Sequence, residues 1–303
     1  MRRTLQRSPQ PTCDNVRMLR IALTTAVAAF TLDEDMDPLL AACAQAGMAA
    51  QRVAWDDATV SWQRFDAVLL RSTWDYTDRL PEFLAWCERV STQTRLINPL
   101  DVVRWNTDKR YLGELGRAGV PVIETHYLSL ADAPDDFPAF AEFVLKPTVG
   151  AGSRGARRFV ADEREQAVAH AAALQAQGRE VMVQPYLAQV DSAGETALLY
   201  FAGAFSHAIR KGPLLPRGSE ATRALFAAEQ ISARQPGEAE LALAERTLDA
   251  LPFARPLYAR VDLLPSADGP RLLELELVEP SLFFDTAPGS AQRFVAALGD
   301  ALG

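Results

Sequence analysis

Cysteine and histidine, the residues of disulfide frameworks and of many transition-metal sites, are scarce in this sequence. Three of each occur in 303 residues. Cys13, Cys43 and Cys87 are far apart and odd in number, so they predict no disulfide framework and favour a reducing, cytoplasmic location. The three histidines lack the spacing of metal ligands, which argues against a zinc site.

An excess of positive charge and long apolar runs are also missing. Lys and Arg total 31 against 39 for Asp and Glu, and the net charge of −8 argues against a nucleic-acid partner. The apolar run from Leu19 to Phe30 is too short for a membrane span, which needs ~20 residues, so no membrane partner is expected. A first buried strand explains this run better than a signal peptide does. Residues 1–17 are polar without periodicity, and we expect a disordered tail there.

The composition is that of a globular protein, with 49% hydrophobic and 23% charged residues. The first third alternates strands and helices, which is the βαβ signature of a small parallel sheet. The middle segment predicts a small α+β unit, and the last third predicts strands and two helices. Residues 212–236 lack a clear period and are expected to form a loop over a site. The strands predicted after the first third cover 122–127, 142–146, 156–160, 180–184, 195–201, 204–211, 257–264 and 271–278.

A glycine-rich loop follows a predicted strand at residues 150–155, where the sequence reads GAGSRG. As a dinucleotide fingerprint this motif needs a helix after it, whereas residues 156–160 resemble a strand. A glycine loop between antiparallel strands folds over nucleotide phosphates instead, because glycine lets backbone N–H groups approach anionic oxygens. Lys146 would direct its ammonium at those phosphates, and Ser153 and Arg154 would add donors. A plain hairpin turn and an NAD(P)-binding oxidoreductase remain alternatives for this motif.

Two acidic residues interrupt a run of leucines near the end of the chain. Glu274 and Glu276 are two apart, so on a strand their side chains point to the same face. Asp262 is on the preceding predicted strand and lies alongside them if the two strands pair antiparallel. Three carboxylates without a histidine suit Mg²⁺, and Arg260, on the same face as Asp262, suits a phosphate oxygen. A solvated sheet face that carries charges is the alternative.

The glycine loop behind Lys146 and the acidic motif at Asp262, Glu274 and Glu276 together resemble the ATP-grasp superfamily. The resemblance implies a small parallel α/β domain, an α+β lid domain and a C-terminal α+β domain with an antiparallel sheet, with ATP between the last two. It covers residues 19–303, and it implies domains at 18–106, 107–190 and 191–303.

The resemblance also implies a set of site residues. Glu276 is a departure from it, because the superfamily usually has asparagine at that position. The implied metal ligands are Asp262, Glu274 and Glu276. The residues implied for ATP are Lys109, Lys146, Gly150, Gly152, Ser153, Gly155, Gln184, Tyr186, Leu187 and Glu195, of which Glu195 would take the ribose or an incoming amine.

Within the superfamily the chain resembles glutathione-synthetase-like enzymes, and among them the cyclo-ligases of cycloserine biosynthesis, which close an O-ureido-serine. This resemblance lies in the stretches 71–76, 194–195, 205–211 and 274–280. It implies an amino-acid-like or small peptide-like substrate, for which Arg71 would hold a carboxylate and Asp75 an ammonium, beside Trp74. A structural ion pair beneath a packed Trp74 is the alternative for these three residues.

The implied activity is that of a Mg-ATP-dependent carboxylate–amine ligase, intermolecular or ring-closing, that works through an acyl phosphate. Lys211 and Arg260 would be the catalytic residues, because they would neutralise charge on the phosphates. ATP and Mg²⁺ are the implied cofactors, with Mn²⁺ as a substitute, and the partners are a small carboxylate and an amine. Assembly into a homo-oligomer is left open. A nucleotide-binding protein without catalysis is a further alternative, which the full set of charged residues disfavours.

Overall fold

The N-terminal part of the chain forms a four-stranded parallel sheet. The computed structural model describes residues 17–213, 215, 218 and 230–303, and the fold is given for these residues. The elements are β1 (Arg20–Thr25), α1 (Met36–Gln45), β2 (Ala49–Ala54), β3 (Ala67–Ser72), α2 (Leu80–Ser91), β4 (Arg95–Ile97) and α3 (Leu100–Asn106). The strand order is β2-β1-β3-β4, and the two inner strands are apolar and almost completely buried, as expected for a parallel sheet between helices.

The middle part forms a four-stranded antiparallel sheet with the order β5-β8-β6-β7. Its elements are α4 (Tyr111–Arg117), β5 (His126–Leu128), β6 (Glu142–Pro147), β7 (Arg157–Val160), α5 (Arg164–Ala176) and β8 (Val181–Pro185). Helix α5 turns Ala167, Ala171 and Leu174 toward Phe143 and Phe159 of the sheet. The two alanines have small side chains, which let the helix approach the aromatic rings closely.

The last part forms a five-stranded antiparallel sheet with the order β11-β10-β9-β12-β13. Its elements are α6 (Val190–Ala193), β9 (Glu195–Phe201), β10 (Ala204–Lys211), β11 (Ile231–Arg234), α7 (Glu238–Asp249), β12 (Tyr258–Leu264), β13 (Arg271–Glu276) and α8 (Ser290–Leu302). Alternate side chains of β9 face opposite helices: Leu198 shares a core with Leu248 of α7, and Leu199 shares one with Phe294 of α8.

The expected parallel sheet at the start, α+β unit in the middle and antiparallel sheet at the end are confirmed, and β7 follows the glycine loop as a strand. The sheets lie within the ranges 18–106, 107–190 and 191–303, which we retain as proposed domains. The predicted strand 122–127 is wrong over most of its length, because Ile123 bonds to the backbone of Leu272 instead. Helix α3 and strand β4 were not predicted. No helix in the described part of the chain has the length and apolar composition to span a bilayer.

Two predicted irregular segments fall largely outside the described residues. Of the predicted loop 212–236, residues 231–234 form strand β11 beside β10, whereas 214, 216–217 and 219–229 are not described. The predicted loop is therefore wrong for residues 231–234. Of the predicted tail, only Arg17 is described, and it pairs with Asp66 at 2.6 Å.

Side chains from the end of the first sheet complete the hydrogen bonding of the last strands. Asn98 is fully buried: its Nδ2 donates to the carbonyls of Tyr258 at 3.0 Å and Leu277 at 2.7 Å, and its Oδ1 accepts from the Leu257 N–H at 2.9 Å. A buried backbone group without a partner is costly, so this one amide joins the first sheet to the third.

We expect Asn98→Ala to lower the free energy of unfolding by about 3 kcal/mol, because the change leaves three buried backbone groups without partners. Chemical denaturation of the two proteins measures the difference. Gln93→Ala, at an exposed position in the preceding turn, is the control and should stay within about 0.5 kcal/mol of the wild type. Equal stability of Asn98→Ala and the control would contradict this role of the amide.

Candidate functional site

One elongated cavity of about 480 Å³ lies between the glycine-loop hairpin of the second sheet and the open face of the third. The carboxyl ends of the first sheet close one end of it, through Asp33, Asp35 and Trp74. Its described lining combines both signs of charge. The cations are Lys109, Lys146, Arg154, Lys211 and Arg260, and the carboxylates are Asp33, Glu34, Asp35, Glu195, Asp262, Glu274, Glu276, Glu279 and Asp285.

Strands β12 and β13 place the predicted acidic cluster as the residue spacing indicated. Asp262 lies directly opposite Glu274, and Arg260 lies opposite Glu276. The guanidinium of Arg260 donates to both oxygens of Asp262, at 2.8 Å from Nε and 2.9 Å from Nη2, and it also pairs with Glu276. Lys211, on β10, holds Asp262 at 2.8 Å. The alternative of a solvated sheet face is wrong, because Asp262 is almost fully buried.

The position of β13 depends on two side chains from the α3–α4 region that cover its outer edge. Tyr111 uses its hydroxyl to accept from the Leu275 N–H at 2.9 Å and to donate to the Leu275 carbonyl at 2.8 Å. Asn106 donates to the same carbonyl at 2.8 Å and accepts from the Leu277 N–H at 2.7 Å. Leu275 stands between Glu274 and Glu276, so these contacts fix both carboxylates at the cavity.

Lys109 and Lys146 approach the acidic cluster from the second sheet's side. Lys109 is buried and its ammonium lies 2.9 Å from Glu274, with a second bond to the carbonyl of Gly150. Burial opposes this charge, but the Glu274 carboxylate raises the pKa of Lys109 above its usual value. Lys146, on β6, has no carboxylate of the described residues within salt-bridge distance, and burial lowers its pKa. Lys146 is therefore a cation directed into the cavity that an anion would stabilise.

The carboxylates differ in how well their charge is compensated. Burial alone would raise the pKa of Asp262, but Arg260 and Lys211 together bring it well below its usual range. Burial dominates at Glu276 and raises its pKa to about 7 in spite of Arg260. Burial likewise raises the pKa of Glu279 to about 8, with the charge of Glu276 adding to the effect. The cations of the cavity thus compensate the charge of Asp262 well, whereas those of Glu276 and Glu279 are compensated only in part.

Glu195 begins the central strand β9 and lies 2.7 Å from the ammonium of Lys211. It is buried, so it is not the edge-strand surface acid that the sequence left as an alternative. Burial raises its pKa to about 7 although Lys211 opposes the shift.

The oxygen ligands expected for a divalent cation share the cavity without converging on one point. Among the described residues, no group of three His, Cys, Asp or Glu side chains is arranged to hold a metal ion by itself. Glu274 takes Lys109 as its partner, and Asp262 and Glu276 take Arg260. The chemistry of these donors fits Mg²⁺, since all are carboxylates and neither thiol nor imidazole lies among them. The predicted ligand set stays a prediction.

The glycine loop closes the cavity from the side of the second sheet. Gly152 and Ser153 have left-handed backbones, with φ of 60° and 59°, and both line the cavity together with Gly150. Gly155 does not line it: its φ is 74°, and a Cβ there would lie 3.1 Å from Pro147, so this glycine serves the turn. Because β7 and not a helix follows the loop, the NAD(P)-binding oxidoreductase interpretation is wrong.

The opposite end of the cavity is an apolar slot beyond β8. Gln184 donates its amide to Thr125 at 2.9 Å, and Tyr186 and Leu187 follow it along the edge of the slot. The sequence predicted these three residues but missed the apolar side chains around them, which come from five other segments and share no motif. They are Ile123, Val144, Val190, Leu264 and Leu273.

The three predicted substrate residues are not brought together. Trp74 lines the cavity and donates its indole N–H to the carbonyl of Glu279 at 3.2 Å. Arg71 is 1% exposed, lies 3.4 Å from Asp35 and 4.0 Å from Asp33, and does not line the cavity. Asp75 accepts from Trp55 at 2.9 Å and from Arg79 at 3.0 Å, also away from the cavity.

Sequence reasoning missed five acidic lining residues at this end. Asp33 and Asp35 are two of them, and Asp35 accepts the N–H groups of Leu282, Phe283 and Phe284. The acidic run at 33–35, in the connection between β1 and α1, was the available signal, because ligands of parallel sheets lie at the carboxyl ends of the strands. The other three missed residues are Glu34, Glu279 and Asp285.

Comparisons with known proteins show which family the chain resembles. A family model for the N-terminal domain of the D-cycloserine synthetase DcsG matches residues 21–98. The cycloserine biosynthesis protein DcsG of Streptomyces lavendulae is 43% identical over 297 residues, which cover 93% of this chain and 98% of that protein. The crystal structure of D-cycloserine synthetase DcsG superposes with a TM-score of 0.88 and 41% identity, over 94% of this chain and all of that one.

Two more distant structures share the fold. D-alanine–D-alanine ligase from Bacillus anthracis, solved with ATP, has a TM-score of 0.64 and 14% identity, over 94% of this chain and 97% of that one. The ATP-grasp ligase PsnB, solved with a minimal precursor, Mg and ADP, has a TM-score of 0.60 and 15% identity, over 92% and 96% of the two chains. Because the 43% identity with DcsG extends over nearly all of both chains, this chain belongs to the DcsG family and is an ATP-grasp ligase.

Proposed function

We propose that this ligase activates the carboxylate of a small, amino-acid-like substrate as an acyl phosphate and then joins the acyl carbon to an amine nitrogen. The observation that supports this most directly is the meeting of Lys109, Lys146 and Lys211 with partly compensated carboxylates in one cavity. Lysines suit the phosphates of ATP, and the surplus carboxylates suit the magnesium that accompanies them. The relation to DcsG favours an intramolecular reaction, in which the activated carboxylate and the attacking nitrogen belong to one molecule.

The nucleotide would lie along the cavity with its base in the apolar slot and its phosphates under the glycine loop. The backbone beyond Gln184, at Tyr186 and Leu187, would receive the edge of the adenine. Lys109 and Lys146 would contact the phosphates from the side of the second sheet. Glu195 would take the ribose or the incoming amine, as the sequence suggested.

The metal would be held by Asp262, Glu274 and Glu276, once the nucleotide draws Lys109 and Arg260 away from these carboxylates. Bound there, Mg²⁺ supplies charge neutralisation and orientation for the terminal phosphates, and Mn²⁺ would substitute for it. Arg260 and Lys211 would stand at the third sheet, where their charges stabilise the oxygens of the transferred phosphoryl group.

The substrate would bind at the end formed by the first sheet, where Trp74 reaches the cavity. The substrate carboxylate attacks the γ-phosphorus, the bond to ADP breaks, and the nitrogen nucleophile then displaces phosphate from the acyl carbon. Arg71 and Asp75 would act on the substrate only through the backbone that carries Trp74, since neither lines the cavity. For a DcsG-like reaction the substrate would be an O-ureido-serine, whose oxygen-bound nitrogen would attack the acyl carbon to give a cyclic hydroxamate.

Isotope transfer tests the acyl phosphate directly. O-ureido-serine labelled with ¹⁸O in its carboxylate should pass one labelled oxygen to inorganic phosphate during turnover with Mg-ATP, because that oxygen bridges carbon and phosphorus in the intermediate. Mass spectrometry of the phosphate measures the transfer, and a reaction without substrate is the control. Turnover with unlabelled phosphate would contradict the mechanism, and nucleotide binding without turnover would indicate a non-catalytic protein.

We expect Glu274→Gln to lower kcat by at least about 100-fold, because it removes a charge that holds the metal against the phosphates. ADP release at saturating Mg-ATP and substrate measures the effect. Glu238→Gln, at an exposed position in α7, is the control and should keep wild-type kcat. An unchanged kcat in Glu274→Gln, with an unchanged magnesium requirement, would contradict the assignment.

The pKa of Glu279, about 8 against an ordinary 4.5, predicts how stability depends on pH. Between these values the folded protein binds a proton that the unfolded chain releases, so stability falls as pH rises, by at most about 1.4 kcal/mol per pH unit for each such proton. The Tm of the protein without nucleotide should therefore decrease from pH 6 to pH 8, and Glu279→Gln should reduce this decrease. Thermal unfolding at both pH values measures it, with Glu238→Gln as the control. An equal decrease in Glu279→Gln and the control would contradict the prediction.

A further inference from the structure

Arg154, near the tip of the glycine loop, reaches across the cavity mouth to the segment Trp74–Asp78. Its Nη1 donates to Asp78 Oδ2 at 2.7 Å, and its Nη2 donates to the Trp74 carbonyl at 2.9 Å. The same nitrogen also contacts the Thr77 hydroxyl. The side chain is only 11% exposed, so these bonds are largely shielded from water.

The segment that receives Arg154 is itself firmly held. Tyr76 is buried and stacks on Phe83 of α2 with ring centroids 5.0 Å apart. Trp74 lines the cavity and bonds to the carbonyl of Glu279, just beyond β13. Arg154 therefore ties the glycine loop to a rigid part of the first sheet and, through Trp74, to the end of the acidic strand.

The loop has few other attachments. Lys109 holds the Gly150 carbonyl and Arg179 holds the Val149 carbonyl, and both contacts are at the start of the loop. Beyond them Gly152 and Ser153 have left-handed backbones. Gly152 has no side chain to pack against its surroundings, and glycine is conformationally permissive. At the far end His170 bonds to the Gly155 carbonyl at 2.8 Å, which keeps the loop on its own sheet, whereas Arg154 ties the loop to the first sheet. Loss of Arg154 would therefore leave residues 151–154 without this link across the cavity mouth.

We propose that Arg154 is a positioning residue that clamps the glycine loop onto Trp74–Asp78 and so keeps water out of the cavity during the ligase reaction. The proposal rests on the acyl-phosphate chemistry proposed above. Water that attacks the acyl carbon of that intermediate displaces phosphate and regenerates the carboxylic acid, so ATP is consumed and no C–N bond forms. A closed loop makes the substrate nitrogen the only nucleophile within reach.

Arg154→Ala separates this role from phosphate binding. Loss of these charge-assisted bonds should lower the population ratio of the closed to the open loop conformation about tenfold. We expect product formation to fall by a similar factor and the ratio of ADP released to product formed to rise, at saturating ATP and substrate. Arg154→Lys keeps one ion pair, so its rate of product formation and its ratio of ADP to product should lie between those of the wild type and Arg154→Ala. Arg157→Ala, three residues along and outside the cavity lining, is the control.

The outcomes are distinct. A raised KM for ATP with an unchanged ratio of ADP to product would overturn the proposal and make Arg154 a phosphate ligand. An equal loss of ADP release and product, together with a lowered Tm, would also overturn it and leave Arg154 a structural role only.

A second variant tests the clamp without relying on the chemistry. Asp78→Ala leaves Arg154 in place but removes its ion-pair partner, so trypsin should cleave after Arg154 several-fold faster, with the site identified by mass. Glu88→Ala is the matched control, because Glu88 is a similarly exposed acid paired with an arginine, Arg104. Equal cleavage rates in the two variants would overturn the clamp. If no labelled oxygen reaches phosphate, the acyl phosphate is wrong, whereas the proteolysis result still decides whether the clamp exists.

Discussion

Charge compensation inside a buried cavity is the constraint on which the arrangement of this molecule depends. A carboxylate removed from water is destabilising unless a cation lies beside it, and Asp262 obtains two, from Arg260 on its own strand and from Lys211 on another. Lys109, which lies outside the third sheet, compensates the charge of Glu274 in the same way. Because Lys211 and Lys109 lie on other elements than the carboxylates they pair with, these attractions also hold the elements at fixed distances. An incoming anion with its metal would exchange partners within a set of charges already in place.

The edge of β13 shows how the acidic groups are kept in register. An edge strand has unpaired backbone groups, and here Asn106 and Tyr111 satisfy those of Leu275 and Leu277 with side-chain bonds where a further strand would otherwise pair. Side chains that pair with the edge of a strand end the sheet there, and they leave the face of that strand uncovered. The cavity uses that open face.

Much of this arrangement could be predicted from local sequence, and the rest depends on contacts between distant segments. The pairing of Asp262 with Glu274 follows from the two-residue period and an intervening turn, and the strand after Gly155 follows from its apolar residues. Arg71 could not be placed in this way. Whether an arginine at the end of a strand faces a ligand or the interior is decided by Asp33 and Asp35, which lie more than 35 residues earlier in the chain. Helix α3 was missed because its burial is set by tertiary packing.

The packing of α1 against α8 has a consequence for synthesis. Leu39 of α1 shares one apolar core with Phe294 and Leu298, which are made more than 250 residues later. This face of the first sheet therefore remains incompletely covered until α8 has been made, although the strands of the sheet are made long before it. During that interval the nascent chain presents an apolar surface that chaperones recognise, and a transcript that ends before α8 would yield a product prone to aggregation.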